Sequence, residues 1–126
     1  MLRKLLFLGI ASLPGPVLAE GPHLIIQRVA LAGFTHHAAG LVWQQLREGD
    51  VLTLVRENTN PHDKLAVRVD WQGQALGYLP RTDNGAIARA LDDGTPLRIR
   101  ISRLREHPDP RRRIEVEISA ELRQKP

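Results

Sequence analysis

From Val51 to Ile118 apolar side chains recur at every second position in short runs, each closed by turn-forming residues. That alternation admits little besides a small antiparallel β-fold. Ala66-Val-Arg-Val-Asp-Trp71 alternates with period two, and Gln72-Gly73 forms a tight hairpin to Ala75-Leu-Gly-Tyr-Leu79, which Pro80 ends. Farther on, Leu97, Ile99 and Ile101 face one way, and Ile114, Val116 and Ile118 do so on the return. One register of that pair sets Arg100 opposite Glu117, an ordinary cross-strand charge pair. Upstream, Leu24 to Phe34 reads as a first long strand and Val51 to Val55 as a second. Two short helices interrupt the pattern. Ala39, Val42, Trp43 and Leu46 fall at helical spacing within Ala38–Arg47. The second runs from Asn84 to Leu91, with Thr82 or Asp83 as N-cap and Ile87, Ala88 and Leu91 turned inward.

The chain has 126 residues, enough for one domain. Six or so strands with two short helices in that length predict a mainly β fold, a small OB-like (modified Greek-key) β-barrel. Closure would remove the exposed edges of such short strands. Cysteine is absent, which excludes disulfide frameworks, thiolate zinc sites and cysteine nucleophiles. Eighteen basic residues against 14 acidic ones give a net charge of +4, and arginine supplies 15 of the 18. Two of the basic residues, Arg3 and Lys4, open a segment that reads as an export signal. The apolar run Leu5–Leu13 follows, then Pro14-Gly15-Pro16, then Val17-Leu18-Ala19 with small residues at the cleavage position. The run is far shorter than the roughly 20 residues a membrane-spanning helix needs. The expectation is cleavage after Ala19, export to the periplasm or medium, no membrane span afterwards, and a single domain over residues 20–126 with net charge +2. Such a charge permits a polyanionic partner without demanding one.

Most of the polar chemistry sits in one loop. Arg56-Glu-Asn-Thr-Asn-Pro-His-Asp-Lys64 packs donors and acceptors around a strong turn signal, and Leu76-Gly-Tyr-Leu-Pro-Arg81 stands downstream. Asn60 offers a donor and an acceptor, Asp63 a carboxylate that can accept from a hydroxyl, and Lys64 and Arg81 positive charge for phosphates. Tyr78 and the imidazoles of His36 and His62 offer flat faces on which bases stack. Each feature also has a plainer reading. Asn60-Pro61 and Asp63 serve equally as a turn clamp, Asp70 as a hairpin support, Tyr78 and Trp71 as core or rim residues, and Arg111-Arg-Arg113 as a solvated hairpin tip.

These blocks together, Gly33-Phe34 with His36-His37, Asn60-Pro61-His62-Asp63-Lys64 with Ala66-Val67, and Gly77-Tyr78-Leu79-Pro80, resemble the HIRAN family. That module is found at the front of some DNA-repair helicases and alone in many bacterial proteins. The likeness spans about Gln27 to Leu104, and the spacing between the blocks agrees as well. It implies a modified OB-like barrel that grips single-stranded DNA, in the best-understood relatives at a free 3′-hydroxyl end. Thr35 and His36 stand where eukaryotic members present arginine and tyrosine, and His62 where many have tyrosine. Both changes shrink the stacking surface.

Enzymatic readings find little support in the residues. No Gly-rich Lys-Ser/Thr phosphate loop is present, so the chain is no ATPase. No Ser/His/Asp set stands in a motif context, and the order and spacing of Asp63, Lys64 and Asp70 do not match a metal-dependent nuclease. His36 and His37 are adjacent and would point to opposite faces of a strand, so neither a metal nor another cofactor is expected. The reading favoured is a non-catalytic nucleic-acid-binding module, with single-stranded DNA ending in a 3′-hydroxyl as ligand. The residues assigned to it are His36, Asn60, His62, Asp63, Lys64, Tyr78 and Arg81. The alternative is a protein- or glycan-interaction module on the same barrel.

Overall fold

The computed structural model describes residues 23–33 and 39–122. Six antiparallel strands form one sheet: β1 (His23–Ala30), β2 (Val51–Glu57), β3 (Ala66–Trp71), β4 (Gln74–Tyr78), β5 (Leu97–Leu104) and β6 (Ile114–Glu121), in the order β1-β6-β5-β2-β3-β4. Helix α1 (Ala39–Val42) precedes β2 and runs into a 3₁₀ turn at Trp43–Gln45, while α2 (Gly85–Asp92) follows β4. A mainly β chain of six strands and two short helices is what the alternation predicts. No helix among the described residues is long and apolar enough to cross a membrane. The expected signal segment and His36 lie outside the described residues.

The expected closed barrel is corrected in one respect. The ladder is open, with β1 and β4 at its two edges. Leu31 N–H still donates to the Ile114 carbonyl of β6 at 2.9 Å, and the next residue forms an isolated antiparallel bridge, Ala32 with Tyr78, that ties the first strand's exit to the last edge. Its two hydrogen bonds, Ala32 N–H to the Tyr78 carbonyl and Tyr78 N–H to the Ala32 carbonyl, are both 2.9 Å. Gly33, at φ +78°, then carries the chain away in the left-handed region that favours glycine.

The core forms where the alternating faces meet. Val67, Val69, Leu76, Ile99, Ile101, Ile114, Val116 and Ile118 are all buried, with Ile87 and Ala88 of α2 packed on them. The register Arg100 opposite Glu117 is present as expected. Glu117 is buried and takes Arg100 at 3.0 Å on one oxygen and Arg28 at 3.0 Å on the other. Gln72 and Gly73, both with positive φ, make the primed turn that the β3–β4 hairpin requires.

Three local expectations shift. The first strand stops at Ala30 rather than Phe34, and its Leu24, Ile25 and Ile26 are exposed beside a bulge. Asp70 is buried against Arg68 instead of supporting the hairpin turn. Helix α2 is capped by Asn84, not Thr82 or Asp83, and the Asn84 side chain makes no capping bond. It is committed elsewhere.

Candidate functional site

The β2–β3 loop is stiff because Asn60 is spent on holding it. Its Oδ1 accepts from the backbone N–H groups of His62 (2.8 Å) and Asp63 (3.2 Å), and its Nδ2 donates to Glu57 Oε1 (3.0 Å). An asparagine bonding amides two and three residues on is the usual clamp of such a turn. Asp63 extends the clamp. Its Oδ1 accepts from the Leu65 N–H at 2.9 Å, and its Oδ2 accepts from Asn84 Nδ2 at 2.8 Å. Asn84 is buried, so this bond joins the loop to the start of α2 from below.

Behind the loop, three neighbouring strands each present one polar group on the same side. Glu57 ends β2, Arg68 lies in β3, and Tyr78, which pairs with Arg68 in the ladder, ends β4. The Tyr78 hydroxyl donates to Glu57 Oε1 at 2.7 Å, and Arg68 Nη1 donates to Glu57 Oε2 at 2.7 Å. Arg68 also grips Asp70 with two bonds of 2.8 and 3.1 Å. The fork of a guanidinium suits it to such bidentate pairing.

This network sets the charges. Burial pushes the Glu57 carboxyl up, but hydrogen bonds from Tyr78, Asn60 and Arg68 outweigh it and leave the group below its ordinary range. The Leu65 N–H, then the Asn84 amide, hold the Asp63 carboxyl below its usual range despite some desolvation. Burial and the neighbouring Glu57 carboxylate raise the Tyr78 phenol, so it stays a neutral donor.

In front of the network opens a cavity of about 410 Å³. Asn60, His62, Asp63, Tyr78 and Arg81 line it, and the segment Ala32-Gly33 forms part of its wall. Five of the seven residues singled out in the sequence therefore converge on one space. Lys64 is exposed and stands outside the lining. Arg81 is mostly exposed, donates from Nη2 to the His62 carbonyl, and holds its Nε 3.9 Å from Asp63. Asn60 does not present itself as a free reader of a base edge, because both ends of its amide are occupied. Sequence reasoning missed Glu57, Arg68 and Asn84, which position the loop and the phenol. Glu57 and Arg68 also have local partners, Asn60 and Asp70, but the bonds that join the loop, β3, β4 and α2 span 11 to 21 residues, and no local spacing betrays those.

A larger cavity of about 490 Å³ beside Trp43, His107 and Arg113 shares no lining residue with this one. Among the described residues no three histidine, aspartate or glutamate side chains converge as metal ligands.

Residues 26–123 match the HIRAN domain family. The chain belongs to the HIRAN domain family. Two solved structures share the fold. One is a protein from Lactobacillus plantarum, 24% identical with a TM-score of 0.67, over 79% of this chain and 95% of that one. The other is the HIRAN domain of human HLTF, 16% identical with a TM-score of 0.57, over 79% of this chain and 80% of that one. At such identities the likeness speaks to the HIRAN fold and not to its ligand. No curated protein matches the chain.

Proposed function

We propose that this HIRAN domain is a non-catalytic module that binds nucleic acid. Its ligand is the end of a DNA single strand carrying a free 3′-hydroxyl, held between the β2–β3 loop and β4. The observation that carries the reading is one open cavity bordered by a carboxylate held ionised, a phenol ring, an imidazole and an exposed guanidinium. A carboxylate has about four acceptor positions. Asp63 uses two of them, on Leu65 and Asn84, and retains capacity for a strand's terminal hydroxyl. The same charge opposes a terminal phosphate, so the site sorts strand ends by their chemistry. Arg81 neutralises a backbone phosphate, and Tyr78 and His62 offer ring faces worth about 1–3 kcal/mol per stacked base. Asn60 acts indirectly by holding the loop. Lys64 and His36 serve as outer contacts. The curved sheet, joined at its edges by the Ala32–Tyr78 bridge, is read as an OB-like barrel opened at one seam.

Anisotropy titrations with labelled single strands ending in 3′-hydroxyl or 3′-phosphate test the proposal. Hydroxyl-dependent binding that vanishes in Asp63→Ala, with the variant's circular dichroism unchanged, supports it. Equal binding to both ends that salt erases leaves only unspecific charge attraction. No binding at low salt passes the site to a protein or glycan ligand. We also propose export with cleavage after Ala19. N-terminal sequencing of protein from the native host should start at Glu20, and a retained Met1 refutes it.

A further inference from the structure

Among the described residues, net positive charge is gathered in one segment. The segment 103–113, which joins β5 to β6, carries five arginines against Glu106 and Asp109, a net +3. The other described residues carry nine basic and eleven acidic groups, a net −2. A bulge in β5 between Ile101 and Arg103 organises the cluster. Ile99 and Ile101 point into the core, and unbroken alternation would send Arg103 after them. The extra residue reverses the phase. Leu104 packs against the core instead, and Arg103 and Arg105 are turned to solvent.

There they meet Arg112 around a cavity of about 180 Å³, backed by Ala30, Ile114 and Glu115. Ala30, Glu115 and Arg103 form one row across β1, β6 and β5, which fixes the floor. Glu115 is the one carboxylate in the lining, and its Oε1 already accepts the Ser102 hydroxyl at 2.8 Å. Arg112 has a single distant acid, Asp109 at 4.0 Å, and Asp109 is gripped more closely by Arg111 at 3.1 Å. Three arginines thus border one small space with one acid. Their mutual repulsion is relieved by an oxyanion with several acceptor oxygens, which guanidiniums bind through paired N–H groups.

We infer that the Arg103–Arg105–Arg112 cavity is a phosphate-binding site, separate from the loop cavity at Asp63. Its occupant is a phosphodiester of a nucleic-acid backbone, so the hairpin is a second anchor for a strand. A free phosphate shares that chemistry. The inference rests on the proposed nucleic-acid function only for the source of the phosphate, not for the site itself.

The test uses the full chain and the double variant Arg103→Gln/Arg105→Gln. Both positions are exposed, so folding is preserved, and Arg89→Gln on α2 controls for simple loss of charge. One arm titrates inorganic phosphate and follows the arginine Nε–Hε resonances by NMR. The other measures the dependence of oligonucleotide affinity on salt. Where the cavity anchors a single strand, the slope of log affinity against log salt falls by about 0.7 for each backbone phosphate the variant ceases to neutralise. That fall in the double variant, absent in Arg89→Gln, supports the site with a nucleic-acid backbone as source. Loss of inorganic-phosphate shifts with an unchanged slope supports the site with free phosphate as source. Unchanged behaviour in both arms overturns it. Because Asp63→Ala reads end preference and the double variant reads slope and phosphate shifts, failure of one proposal is distinguishable from failure of the other.

Discussion

Gly77→Ala tests how the sheet's two ends are held together. Gly77 is buried in β4, and a Cβ placed on it would stand 2.2 Å from the Ala32 carbonyl oxygen and 3.2 Å from Leu31 Cγ. Real Cβ atoms essentially never approach within 3.0 Å of such an atom, so the Ala32 carbonyl must retreat by at least 0.8 Å (3.0 less 2.2). Both bridge hydrogen bonds measure 2.9 Å and run through Ala32 and Tyr78, so the retreat breaks them. Two such bonds at about 1 kcal/mol each, with about 1 kcal/mol for crowding Leu31, sum to about 3 kcal/mol. For a domain of this size that lowers Tm by roughly 12–24 °C. Thermal and urea unfolding followed by far-UV circular dichroism measure it, with the urea slope unchanged because the exposed surface is the same. A Tm within about 3 °C of the parent, less than 1 kcal/mol on the same scale, refutes the claim that backbone closeness requires this glycine.

Two further outcomes follow from the loop and from the buried carboxylate of β6. Asn60→Ala removes two bonds to backbone N–H groups and one to Glu57, and should cost about 1–3 kcal/mol in urea unfolding while weakening oligonucleotide binding. An unchanged midpoint would show that Pro61 alone sets the turn. The carboxyls of Glu57, Asp63 and Glu117 are all held below their ordinary values of 4.5, 3.8 and 4.5, Glu117 by Arg100 and Arg28 against its own burial. A depressed folded value binds protons less readily than the unfolded chain. The stabilisation is therefore full above those ordinary values and is lost as pH falls through the folded ones. Acid unfolding curves should steepen below about pH 4.5, and Glu57→Gln should flatten that limb relative to the parent.

Much of the architecture was legible because it depends on alternation, which a sequence carries openly. Leu97–Ile101 and Ile114–Ile118 identify the longest hairpin, and the same period forces Arg100 opposite Glu117. The bulge at Ser102 was not legible, since no residue type marks it, and it alone decides that Arg103 faces water while Leu104 faces the core. The open seam was hidden for a similar reason. Whether the sheet closes depends on where the chain leaves β1, and the apolar run read as a strand through Phe34 put that point later than the structure, where β1 ends at Ala30. At the site, Asn60, His62 and Asp63 of the loop motif border one cavity with Tyr78 and Arg81, while Lys64 stands outside it. What the sequence concealed was direction. Asn60 and Asn84 turn their amides onto the protein's own groups, and such pairings arise only once the β2–β3 loop and α2 are adjacent.

The stretch Ala32-Gly33 borders the cavity while Ala32 also staples the sheet through main-chain atoms alone. A partition joined through peptide groups tolerates most replacements of the Ala32 side chain, while the positive φ of Gly33 keeps glycine there. The width of the groove is thereby insulated from mutational drift, whereas the rings and charges of His62 and Arg81, both at the surface, are free to change. Under the proposed function, ligand preference can then change residue by residue while the opening keeps its shape.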